Sequence, residues 1–146
     1  MQIELQPVTH ENWEACCALE LTVEQQGFLE PNVYSIAQAG FEPTLVMRAI
    51  YRADELVGFL MYNTEREELD GYWIYRLMVD HRHQGAGIGR EAVRLLLEEM
   101  QQLPQAACIV VGYHPDNHVA HQLYGRLGFI DYGDRFGKEM AVWYTL

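Results

Sequence analysis

The chain is almost without lysine. Lys138 stands alone among 146 residues, and 10 Lys plus Arg face 21 Asp plus Glu, a formal charge of −11. So few cations argue against a nucleic-acid partner, because phosphate contacts need Lys and Arg. No apolar run approaches the ~20 residues that span a bilayer, so no membrane helix is expected. Cysteine is scarce and odd in number: three residues, two of them the adjacent Cys16 and Cys17, make neither a disulfide framework nor metal-ligand spacing. The start, Met1-Gln2-Ile3-Glu4, lacks the basic and apolar regions of a signal peptide. These absences point to a cytoplasmic protein in a reducing compartment. Repeats, linkers and low-complexity stretches are also missing, and the length suits a single domain over residues 1–146.

The acid is unevenly placed. Residues 1–40 hold Glu4, Glu11, Glu14, Glu20, Glu24 and Glu30 with no Lys or Arg. A negative field focused on a cleft concentrates cationic substrates, although single surface carboxylates also serve solubility.

Most of the chemistry is organised around Tyr72 to Arg90. An aromatic and apolar run reads as a buried strand, a polar turn follows, and then Gly85, Gly87 and Gly89 lead into a helix over Glu91 to Gln102. A strand, a glycine turn and a helix start present bare N–H groups and a positive dipole end to an anion. A Walker A loop needs a Lys after its glycines, and none is present. Gly87, Gly89 and Ala92 fit a dinucleotide pattern formally, but Asp80 to Gly85 separates them from the strand. Gln84, Gly87 and Gly89 fit the third pattern, Gln/Arg-x-x-Gly-x-Gly/Ala.

Elsewhere the periodicities predict a strand at Ile3 to Pro7, a helix capped by Thr9, a short helix at Ser35 to Ala39 and a hairpin from Thr44–Tyr51 to Leu56–Tyr62. Asn32 or Ser35 is a candidate cap for the second helix. Asn63 to Gly71 reads as a charged turn. Ile88, Ala92, Leu95, Leu96, Met100 and Leu103 mark the buried face of the third helix, which Pro104 stops. Ala107 to Val111 is a doubly buried strand, Gly112 to Asp116 a turn, and Asn117 to Arg126 a helix ended by Gly128. Phe129 to Tyr132 and Met140 to Tyr144 are closing strands. The order β-α-α-β-β-β-α-β-α-β-β describes an α/β sandwich around a mixed sheet.

The second informative pattern is Asn117-x-x-Ala120-x-x-Leu123-Tyr124-x-x-x-Gly128-Phe129, which puts Asn117, Ala120 and Tyr124 on one helix face. His114, His118 and His121 have spacings a helix could gather, but His114 precedes Pro115 and no fourth ligand is evident, so no metal is expected.

The Gln84-Gly87-Gly89 loop and the Asn117-to-Phe129 pattern, in this order, resemble the two signatures of the GCN5-related N-acetyltransferases over essentially the whole chain. The resemblance implies a mixed, mostly antiparallel central sheet with helices on both faces and a splayed pair of central strands. It implies acetyl-CoA as cosubstrate. Leu77, Met78 and Val79 would offer main-chain groups to the pantetheine arm, and Gln84, Gly85, Ala86, Gly87, Ile88, Gly89 and Arg90 would wrap the pyrophosphate. Asn117, beside Ala120, would hydrogen-bond the pantetheine, and Tyr124 would protonate the leaving thiolate. A tyrosine with a pKa near ~10 suits a thiolate of comparable basicity.

The base is left open. Glu24 and Glu30 come first, directly or through a water, with Glu55 and Tyr75 behind them. Glu24-Gln25-Gln26-Gly27-Phe28-Leu29 and Tyr72 to Asp80 also resemble the bacterial diamine and polyamine acetyltransferases. That implies a cationic small-molecule amine, spermidine or spermine, bound among Glu24, Phe28, Glu30, Tyr34, Glu42 and Tyr75. The rival readings are another amine (an aminoglycoside, a metabolite or a protein N-terminus) and a non-catalytic acyl-CoA-binding module. The resemblance also makes a homodimer through the last strands plausible.

Overall fold

The computed structural model describes residues 1–146. Seven strands form one sheet: β1 (Ile3–Pro7), β2 (Leu45–Arg52), β3 (Glu55–Asn63), β4 (Tyr72–Val79), β5 (Cys108–Tyr113), β6 (Arg135–Phe136) and β7 (Glu139–Thr145). Their order is β1-β2-β3-β4-β5-β7-β6, with β4 and β5 parallel and every other pair antiparallel. The four helices are α1 (Trp13–Ala18), α2 (Asn32–Phe41), α3 (Ile88–Met100) and α4 (His118–Arg126). This is the mixed α/β architecture expected from the sequence, with helices on both faces. On one face Cys16 and Leu19 pack with Leu45, Ala49, Phe59, Met61 and Met78. On the other, Ile88, Ala92, Val93, Leu96 and Met100 of α3 and Tyr124 of α4 pack with Ile50, Val57, Leu60, Ile74 and Val111. Each of the larger apolar side chains buried there contributes ~2 kcal/mol of transfer free energy.

The feature that positions the site is a break between β4 and β5. Their ladder covers only Tyr72–Ile109, Trp73–Val110 and Ile74–Val111. On the other side of β4, Met61 pairs with Arg76 but Tyr62 pairs with Ile74, so Tyr75 is an inserted bulge residue. A bulge bends its strand and ends pairing locally. From Tyr75 onward β4 leaves β5, and from Gly112 onward β5 leaves β4.

Several boundaries differ from the sequence expectation. Thr9 does not cap α1. Its N–H donates to Asn12 Oδ1 at 2.7 Å, and the helix begins after Asn12. Helix α2 starts at Asn32, where Nδ2 donates to the Cys16 carbonyl at 2.9 Å and ties α2 to α1. The buried face of α3 uses Val93 and Leu97, whereas Leu95 and Leu103 are only partly covered. Strand β5 continues to Tyr113, which pairs with Met140. Phe129 to Tyr132 is not a strand: Ile130 makes one bridge to Trp143. Asp131 Oδ1 then accepts the N–H of Gly133 at 2.9 Å, and Gly133 takes φ +96°, so the chain turns away before β6.

Candidate active site

The opening between β4 and β5 joins two cavities that share Phe28, Leu29, Leu77, Asn117, Ala120 and Tyr124. One, about 410 Å³, runs from the glycine loop along Leu77, Met78 and Val79 to α4. The other, about 550 Å³, lies beyond the opening among residues 26–31, Glu67, Glu68, Trp73 to Leu77, Gly112, Phe136 and Glu139.

The first cavity is lined at one end by unpaired main-chain donors. Gly85 and Gly87 take φ of +83° and +80°, where a Cβ would be strained. They turn the chain so that the main-chain N–H groups of residues 84–90 make no backbone hydrogen bond before Glu91 closes onto the Gly87 carbonyl. Those free donors sit at the positive end of α3, with Arg90, Arg126 and His83 also on the wall. Gln84 holds the loop in place. Its Nε2 donates to the Val79 carbonyl at 3.0 Å and to Gln25 Oε1 at 2.9 Å, while Gln25 Nε2 returns a bond of 3.2 Å.

Asp80 anchors the loop from below. Its side chain is 1% exposed and accepts from the Glu20 N–H at 3.0 Å and from the Arg82 N–H and Nε at 3.0 and 2.8 Å. Burial alone would raise its pKa. The bonds from Arg82 and Glu20 and the guanidinium charge outweigh burial and hold the carboxyl at about 2.

Asn117 caps α4 by accepting the Ala120 N–H at 3.1 Å, which leaves its amide donors at the seam between the cavities. Tyr124 is 4% exposed, packed edge-on to Phe129 and near-parallel to Tyr113. Its ring lines both cavities and its hydroxyl is not sealed off. Burial, with a smaller contribution from Tyr113, pushes the phenol well above its ordinary range, so it stays protonated. A protonated, unpartnered hydroxyl where two cavities meet can give a proton to a leaving group.

The second cavity is acidic. Glu30, Glu67, Glu68 and Glu139 line it, with Arg76 as the lone cation. Arg76 is already occupied: it donates to Gln38 Oε1 at 3.0 Å and lies 5.6 and 6.0 Å from the rings of Tyr34 and Tyr75. Glu67 is fixed by Tyr75, whose hydroxyl donates at 2.7 and 2.9 Å, and by Asn63 Nδ2 at 2.9 Å. Burial and that bond to Glu67 push the Tyr75 phenol up to about 12.

Leu77, Met78, Val79, Gln84, Gly85, Gly87, Ile88, Gly89, Arg90, Asn117, Ala120 and Tyr124 all fall on the walls of this cleft, as do Phe28, Glu30 and Tyr75. Ala86 is exposed outside them. Glu24, Tyr34 and Glu42 are exposed and lie off both walls. For Glu24 the reason is local. Residues Val23–Gln25 form a 3-10 turn in which Gln25 folds back to accept the Thr22 N–H, turning Gln25 inward and Glu24 out. Two of the three histidines have aromatic neighbours: His114 packs on Phe28, and His121 Nδ1 is 2.8 Å from the Tyr113 hydroxyl. Sequence reasoning missed Glu67, Glu68 and Glu139. The first two were hidden in a charged turn, and Glu139 becomes visible only when the pairing of β5 with β7 is known.

Comparison with known proteins gives the class. The model of the acetyltransferase (GNAT) family matches residues 10–129, and the chain belongs to that family. The spermine/spermidine N(1)-acetyltransferase of Bacillus subtilis (strain 168) is 27% identical over 138 residues, covering 88% of each chain. The spermidine N-acetyltransferase of Vibrio cholerae, solved with CoA and spermine, superposes with a TM-score of 0.75 at 14% identity, covering 99% of this chain and 95% of that one. An aminoglycoside acetyltransferase solved with coenzyme A superposes at 0.81 with 15% identity over the same shares, 99% and 95%. At such identities the structures share the fold. The protein is an acetyltransferase, and its acceptor must be argued from its own cavity.

Proposed function

We propose that this enzyme moves an acetyl group from acetyl-CoA to a primary amine of a linear polyamine of the spermidine or spermine type. The observation that carries the acceptor class is the wall of the second cavity: four glutamates and one arginine that is already engaged. Spaced carboxylates beside Phe28, Trp73, Tyr75 and Phe136 suit a chain that alternates ammonium groups and methylenes. The Bacillus relative, similar over 88% of its own length, supports the same class.

The free N–H groups of residues 84–90 receive the pyrophosphate, and the unpaired edge of Leu77 to Val79 with Asn117 receives the pantetheine arm. The thioester then lies in the seam beside Tyr124. An unprotonated amine attacks the carbonyl from the acidic side and the carbon–sulfur bond breaks. Tyr124 gives its proton to the sulfur and recovers one from the new amide nitrogen. The test is a comparison of kcat/KM for spermidine and for a linear monoamine of similar length, at low and high salt. We expect a preference of at least ~10-fold for spermidine that shrinks as salt screens the cavity. Equal values at low salt would remove the polyamine assignment.

A further inference from the structure

From the geometry we infer that Glu139 is the proton acceptor for the attacking amine, and that Glu67 is the fixed counter-charge for a second ammonium of the same substrate. This rests on the amine-acetylating reading above: the Glu139 assignment holds for any alkylamine, and the Glu67 assignment needs one with a second ammonium.

Two residues mark where the central strands part: Tyr75, first on β4 beyond the last paired residue Ile74, and Gly112, first on β5 beyond Val111. Each has a carboxylate beside it. The Tyr75 hydroxyl holds Glu67. A Cβ built on Gly112 would lie 3.4 Å from Glu139 Oε1 and 3.5 Å from Trp73 Cζ3. The absence of a side chain at Gly112 therefore leaves room for an amine between that carboxylate and the indole.

The two carboxylates are not equivalent. Glu67 already accepts bonds from Tyr75 and Asn63, which fix its place and take up lone pairs. The Glu139 carboxylate is half-buried at the mouth of the parting strands and takes no hydrogen bond or ion pair from the protein. The other titratable groups sharing its cavity are Glu30 and Glu68 from the loops, Arg76 and Tyr75 from β4, Tyr113 from β5 and Tyr124 from α4.

An alkylammonium arrives as R–NH3⁺. One proton passes to Glu139, and the freed lone pair forms the bond to the thioester carbon. Breakdown expels the thiolate, which takes the Tyr124 proton; the second proton of the nitrogen restores Tyr124. Glu139 returns its proton to solvent, so one H⁺ is released per acetylated amine.

The experiment is the pH profile of kcat/KM for Glu139→Gln, using whichever alkylamine the wild type acetylates fastest. With an amine pKa near ~10.4, about one molecule in 10³ is unprotonated at pH 7. We expect the variant to lose roughly 10²–10³-fold at pH 7 and to regain about tenfold per pH unit toward pH 10, while the wild type stays flat. A fluorinated alkylamine that is already neutral at pH 7 should lose less than about tenfold in the same variant. Thermal stability and CoA affinity should be unchanged, and Glu139→Asp should restore part of the rate. Glu67→Gln should raise KM for a diamine but not for a monoamine, with kcat nearly unchanged. A parallel loss for both kinds of amine with an unaltered pH profile would overturn the assignment, as would a Glu139→Gln variant with full activity. Wild-type failure to acetylate any amine would overturn both this inference and the reading it rests on. Preference for an amine other than a polyamine would overturn the polyamine reading; if that amine has no second ammonium the Glu67 assignment falls with it, and the Glu139 assignment is still decided by the pH profile.

Discussion

Asp80→Asn removes one charge from a buried node without changing its shape. The carboxyl titrates at about 2 in the folded chain, against 3.8 ordinarily. A depression of that size corresponds to about 2–3 kcal/mol of stability at neutral pH. Because the folded pKa is the lower one, this stabilisation is complete above pH ~4 and disappears as the pH falls toward 2. The amide of Asn also turns an N–H toward the Glu20 N–H that Asp80 now accepts at 3.0 Å, so the figure is a lower bound. Urea unfolding of both proteins at pH 7, 5, 3 and 2.5 reads the effect. We expect the variant to be less stable by about 2–3 kcal/mol at pH 7, roughly 6–10 °C in Tm, and the gap to narrow steadily below pH 4. Other carboxylates whose pKa is lowered, Glu91 and Asp131, titrate in both proteins and cancel in the difference. A gap of unchanged size at pH 2.5, or one under ~0.5 kcal/mol at pH 7, would refute the reasoning.

Tyr124→Phe keeps the packing against Tyr113 and Phe129 and removes only the hydroxyl. Steady-state kinetics should show kcat down by about 10²-fold with CoA affinity within a factor of ~2 by calorimetry. Gly87→Glu places a carboxylate among the free N–H groups and forces a Cβ onto φ +80°. Calorimetry should find CoA binding lost while circular dichroism shows a folded chain, and retained affinity would misplace the pyrophosphate.

Much of the candidate site is legible in the sequence. The glycine loop and the Asn117-to-Tyr124 face were readable because each is local: the residues that act together are neighbours on a turn or on one face of a helix. The acceptor side was harder. Glu24 belongs to an acidic segment, yet a 3-10 turn fixed by the Thr22–Gln25 contact points it outward. Glu67 acquires meaning through Tyr75, which faces it only because a bulge re-aims β4. Glu139 reaches the cleft through strand pairing between distant parts of the chain and a glycine on the neighbouring strand. The false strand at Phe129 to Tyr132 has the right apolar pattern. An Asx turn onto Gly133 overrides it, a side-chain-to-backbone competition that β propensity does not register.

The most direct measurement is thiol release from acetyl-CoA across a panel of amines: spermine, spermidine, putrescine, an aminoglycoside and a peptide with a free N-terminus. We expect rapid release with spermine and spermidine and little with the aminoglycoside or the peptide. Release confined to the aminoglycoside or the peptide, or no release at all with CoA bound, would contradict the proposed function.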